Sequence, residues 1–215
     1  MSTHRSIRVL NALTVILVVG LGLSACGSDD TGSDTTASQV STTEHNDADV
    51  AFSSDMIQHH AQALAMVDLT LQRDLDPEVQ QLAEEIRAAQ GPEIETLSDW
   101  LSDWDEEVPE TMRDHTNAGH DNDDVSGDME GMDDDSEADM PGMMSADDMQ
   151  ALEDASDAEF QAMWLDMMVE HHEGAVEMAK TEIDDGQYKP AVDLAKSIVT
   201  SQTGQIETMQ GLLGS

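Results

Sequence analysis

Apolar residues recur along most of this chain at the three-to-four-residue spacing of helices. Val50, Met56, Ala63, Leu64, Val67 and Leu71 mark one stripe. That stripe predicts a first helix from about Asp47 to about Leu75. Asp76, then Pro77 at a first helical position with Glu78 behind it, reads as the next helix start. Val79, Leu82, Ile86 and Ile94 carry this second helix to about Trp104. Gly91-Pro92 inside it is expected to kink or break it. Ser156-Asp157-Ala158-Glu159 has the form of a capping box and opens a third helix that runs to about Ile183. Gly186 is expected just past its end, as a left-handed terminating residue. A fourth helix begins near Pro190 and reaches about Leu213.

The two halves repeat. Met56-Ile57-Gln58-His59-His60-Ala61-Gln62-Ala63-Leu64-Ala65-Met66 answers to Met168-Val169-Glu170-His171-His172-Glu173-Gly174-Ala175-Val176-Glu177-Met178. Downstream, Gln90-Gly91-Pro92-Glu93-Ile94-Glu95-Thr96-Leu97 answers to Gln202-Thr203-Gly204-Gln205-Ile206-Glu207-Thr208-Met209. The unit is therefore a helix hairpin. Each hairpin leaves one apolar face open, so two of them predict an all-α four-helix bundle over residues 47–213.

Other segments read differently. His4, Arg5 and Arg8 precede an apolar run, Leu10 to Leu23, that is too short for a spanning helix. The run ends in Leu23-Ser24-Ala25-Cys26, which resembles a bacterial lipoprotein signal. That resemblance implies a signal peptide over residues 1–25, lipidation of Cys26, and a cell-membrane anchor on the extracytoplasmic face. Residues 26–46 are rich in Ser, Thr, Asp and Gly and read as a flexible tether. Residues from about 105 to 155 form an acidic, Met-rich insert with one base, Arg113, read as largely disordered. Only Ser145 to Ala155 within it has the pattern of a short helix.

Charge narrows the partners. Eight Lys and Arg face 47 Asp and Glu, for a net charge of −39. Nucleic acid is disfavoured by repulsion, and cations are attracted. The lone Cys is placed at the lipidation position. Any soft metal ligand must therefore be an imidazole or a thioether.

On a helix, Met56, His59, His60, Ala63 and Met66 share a stripe, as do Met168, His171, His172, Ala175 and Met178. Adjacent His residues point about 100° apart, so both face the interior only if one lies near a helix seam. Imidazole with thioether suits copper, as Cu(I) or Cu(II). This set is the candidate metal site: His59, His60, His171 and His172, with Met56, Met66, Met168 and Met178. A di-iron centre would need Glu-x-x-His motifs, and the chain has none. The competing reading keeps the Met residues as core filler and the His pairs as structural groups in a non-metal binding or scaffold module. The insert supplies a second, looser set: His115, His120, Met129, Met132, Met140, Met143 and Met144. No nucleophile triad, phosphate loop or acid–base pair is recognisable, so an enzyme ranks last.

The doubled Met-x-x-His-His-x-x-Ala-x-x-Met motif, with Met140-Pro141-Gly142-Met143-Met144 before the second copy, resembles the domain of unknown function 305 family. The resemblance spans about Asp47 to Leu213. It implies a ferritin-like helical bundle in an exported or lipid-anchored protein. It further implies periplasmic copper binding and copper resistance, with the eight His and Met residues of the two motifs as ligands; the duplicated stripe itself is read as serving copper sequestration or delivery. The chain departs from the family pattern at Gln58, where Pro is common, and at Gln62, where Gly is common. Neither departure removes a ligand.

Overall fold

The computed structural model describes residues 40–111 and 140–214. Helix α1 spans Asp47–Asp68 and is followed by a 3-10 turn, Leu69–Gln72. Helix α2 spans Pro77–Asp103, α3 Ala146–Asp154, α4 Asp157–Asp185 and α5 Lys189–Leu213. The described residues contain no strand, only one isolated bridge between Ser41 and Tyr188.

The apolar stripes bury themselves in two clusters. One holds Met66, Val79, Ile86, Phe160, Trp164 and Met168. The other holds Phe52, Met56, Leu97, Ala175, Ala191 and Ile198. Helix α1 runs from the second cluster to the first, and α2 returns. Helix α4 runs from the first to the second, and α5 returns. Each hairpin is thus antiparallel, while α2 and α4 run the same way. The connection between them must cross the length of the bundle, as in ferritin-like folds. This is the all-α bundle that the repeat predicts.

Burial on this scale is the main stabilising term. Trp164 shows the scale at one residue: it is fully buried, and its Nε1–H donates to the Met66 carbonyl at 3.0 Å. Trp164→Ala is expected to cost about 3–5 kcal/mol, through a cavity and an orphaned carbonyl. Urea unfolding followed by circular dichroism measures it.

Several local expectations are corrected. Helix α2 runs through Pro92 without a break. Ile86 and Leu97, both fully buried, clamp the helix on either side of the missing hydrogen bond. Helix α1 stops at Asp68, and Leu71 lies 71 % exposed because the 3-10 turn rotates it off the stripe. Asp76 makes no side-chain cap; it exchanges hydrogen bonds with Gln161 instead. Ser156 donates to the Glu159 carboxylate rather than capping a backbone N–H. Gly186 has φ −67°, so it is not left-handed. Its lack of a side chain serves close packing, since a Cβ there would collide with Glu182. The Ser145–Asp148 capping box forms as expected. A second one, Asn46 with Asp49, starts α1.

The end of the tether region is fixed to the bundle. Ser41 pairs with Gln187 and Lys189 backbone, and Asn46 Nδ2 donates to the Asp185 carbonyl at 2.9 Å. Cys26 lies outside the described residues. Among those described, no helix is long and apolar enough to cross a membrane.

Candidate metal centre

Between the two apolar clusters, all four long helices change character at the same level. Helix α1 contributes His59 and His60, and α2 contributes Gln90 and Glu93. Helix α4 contributes His171 and His172, and α5 contributes Gln202 and Gln205. The four imidazoles are fully buried. Gln90 and Gln202 are each 2 % exposed. A polar layer therefore cuts an otherwise apolar core.

The layer has a two-fold logic. His60 Nε2 meets Glu93 Oε2 at 2.8 Å, and His172 Nε2 meets Gln205 Oε1 at 2.9 Å. Each acceptor stands 33 residues after its His. His59 and His171, the matching members of the two pairs, lie against each other with ring centroids 3.8 Å apart and planes tilted by 45°. His171 and His172 are 6.3 Å apart. His59 Nε2 finds the carbonyl of Pro141 at 3.0 Å.

A carboxylate, an amide oxygen and a carbonyl all accept. Each therefore fixes a proton on the Nε2 that faces it, and in a neutral ring this leaves Nδ1 with a bare lone pair. The Nδ1 atoms of His59, His60 and His172 have no hydrogen-bond partner, and His171 has none on either nitrogen. Gln90 and Gln202 are likewise unpartnered at both amide atoms. Buried polar atoms are normally satisfied, so this concentration of unpartnered ring and amide atoms singles the layer out as the candidate site.

Burial also sets protonation. It lowers His59 to about 3, with His60 adding to the effect, and His172 to about 4. It holds fully buried His171 well below the usual range, helped by the neighbouring rings. Neutral imidazole is the ligating form.

The thioethers divide evenly. Met56 lies in one apolar cluster with Met178 packed against it, and Met66 and Met168 lie in the other. Met56, Met66 and Met168 are fully buried, whereas Met178 is half-buried. The Met residues thus flank the imidazole layer on both sides. Among the described residues, no set of three or more His, Cys, Asp or Glu is arranged to hold a metal ion as it stands.

The family model of the domain of unknown function (DUF305) matches residues 49–213. The chain belongs to this family. A DUF305 fragment from Deinococcus radiodurans is 28 % identical, with 79 % of this chain and 97 % of that one covered at a TM-score of 0.62. The DUF305 protein from Streptomyces coelicolor is 29 % identical over 78 % and 92 % of the two chains, also at 0.62. CopM in its Cu(II)-bound form is 25 % identical over 77 % and 95 %, at 0.58. No curated protein matches.

Of the looser second set, His115, His120, Met129 and Met132 lie outside the described residues. Met140, Met143 and Met144 lie within them. Met144 is buried in the core cluster, and its neighbour Pro141 touches His59. These residues therefore belong beside the polar layer of the DUF305 domain. Glu93, Gln205, Gln90 and Gln202 were not singled out from the sequence as site residues. Their signal was the second repeated string, whose Gln-x-x-Glu and Gln-x-x-Gln occupy equivalent positions.

Proposed function

We propose that this protein is a copper-binding lipoprotein of the extracytoplasmic face, acting in sequestration or delivery. The observation that carries this reading is the set of buried Nδ1 atoms without a hydrogen-bond partner on His59, His60, His171 and His172. Met56, Met66, Met168 and Met178 would add thioether donors, a combination suited to Cu(I) and tolerant of Cu(II). CopM, a structural neighbour, binds Cu(II), which supports the same chemistry. The acidic surface would concentrate cations near the domain. Lipidation of Cys26 would hold it at the membrane; Cys26→Ser is expected to move the protein from the membrane fraction to the soluble one.

Titration with Cu(I) and Cu(II), beside a variant with all four His changed to Ala, tests the site. Uptake is expected to fall sharply in the variant. Equal uptake would leave only the Met/His insert, with His115, His120, Met129 and Met132, as the ligand source. A supporting carboxylate gives a finer test. Glu93 holds the His60 ring in place through Nε2, so Glu93→Gln is expected to weaken copper binding by about 10–100-fold. Competition against a chelator of known affinity measures it.

Among the described residues no three His, Cys, Asp or Glu are grouped to hold a metal ion, and a second reading is a surface scaffold module with structural His pairs. In that case the His variant loses stability equally with and without copper.

A further inference from the structure

Met140-Pro141-Gly142-Met143-Met144 forms a strap across the polar layer, and the repeat loses its symmetry where the strap sits. Two residues after the His pair, the first half carries Gln62 and the second carries Gly174. Gln62 is 2 % exposed and grips Met144 with both ends of its amide. Its Nε2 donates to the Met144 carbonyl at 2.9 Å, and its Oε1 accepts the Met144 N–H at 2.7 Å. Gly174 lies under Pro141 and Gly142, and a Cβ there would collide with the Pro141 carbonyl. Gly142 has φ +75°, and a Cβ on it would lie 2.6 Å from the Glu170 carbonyl oxygen. So seated, the strap places the Pro141 carbonyl 3.0 Å from His59 Nε2.

We propose that Gln62 and Gly174 are positioning residues that seat a retaining strap on the copper site. This inference rests on the copper reading given above. A carbonyl only accepts, so Pro141 keeps the proton of His59 on Nε2 and turns a bare Nδ1 to the ligand. A cation on Nδ1 makes the Nε2–H a stronger donor, so bound metal and seated strap favour one another. By linkage the effect is reciprocal: unseating the strap weakens the site and opens it. Equivalent positions of the two halves have thus taken opposite solutions, a grip and a clearance, for a segment that lies outside the repeat.

Gly174→Ala and Gln62→Leu unseat the strap without touching any imidazole or thioether. In the full-length protein, both are expected to keep the helical circular dichroism of the wild type. Both are expected to lose the Nε2–H signature of His59 in nitrogen NMR. Copper release to a competing chelator is expected to speed up by about tenfold or more, the scale of a lost supporting partner. Wild-type release rates in both variants, or an unchanged His59 signature in both, overturn the proposal. Should Gly174→Ala fail to fold, Gln62→Leu alone carries the comparison. Should the wild-type protein take up no copper, the copper reading and the retention claim fall together. The hold of the strap on His59 is then judged by the ring signature of the metal-free protein.

Discussion

His171→Leu is expected to raise the stability of the metal-free protein by about 1–3 kcal/mol while weakening copper binding beyond the ~10–100-fold typical of a supporting partner. The reason lies in what His171 lacks. It is fully buried and neither ring nitrogen has a hydrogen-bond partner. An unsatisfied buried polar group carries its full desolvation cost, which an apolar side chain of similar size removes. Leu also fills the space against the tilted His59 ring, so no large cavity offsets the gain. A residue retained at a cost to stability is characteristic of a functional site. Denaturant unfolding of metal-free wild type and variant, with copper titrations of both, gives the two numbers. A variant that is both less stable and equally competent for copper would assign His171 to structure and remove the central ligand from the proposed site.

The architecture was legible because its causes are local and repeated. Duplicated apolar stripes specify two hairpins, and Pro77 and Pro190 sit near the helix starts they predict. Where expectation failed, contacts with other side chains prevailed, some local and some long-range. Pro92 carries a real local penalty, yet buried side chains on both sides keep α2 continuous. Asp76 and Ser156 have capping chemistry, but partners from other residues take their side chains. Of the candidate site, the four His were singled out by the motif, but whether the two pairs meet was not readable, because that depends on how the hairpins pack. The acceptors on α2 and α5 were not readable either, because Glu93 and Gln205 differ in charge and match only in position. The strap was hidden for a different reason. Its acidic, Met-rich surroundings resemble a solvated linker, and its place is fixed by backbone groups of Pro141 and Met144 that leave no compositional mark.

Stability is expected to peak near pH 6.5 and to fall on both sides, for two distinct reasons. His59, His171 and His172 are held below their ordinary value in the fold, to about 3 for His59 and about 4 for His172. Below about pH 6.5 the unfolded chain binds protons that the folded one refuses. Stability therefore drops as pH falls, by about 1.4 kcal/mol per pH unit for each such ring, until the folded rings titrate. Glu182 works in the opposite sense. It is 2 % exposed, and burial, reinforced by the neighbouring Asp49, pushes it up to about 9. Its contribution is complete below about pH 4.5 and is lost as pH rises toward 9. Between pH 4.5 and 6.5, three rings oppose Glu182 and the carboxyl of Asp55, which burial also pushes up, so the acid side is governed by His. Above pH 6.5 the rings are neutral in both states, and Glu182 sets the slope. Glu182→Gln is therefore expected to flatten the alkaline limb and leave the acid limb standing. Replacing His171 by Leu makes the acid limb shallower. Urea unfolding from pH 4 to 9, at salt high enough to screen the surface carboxylates, resolves the two limbs. An acid limb that persists unchanged without His171 would mean that this ring is not held neutral in the core.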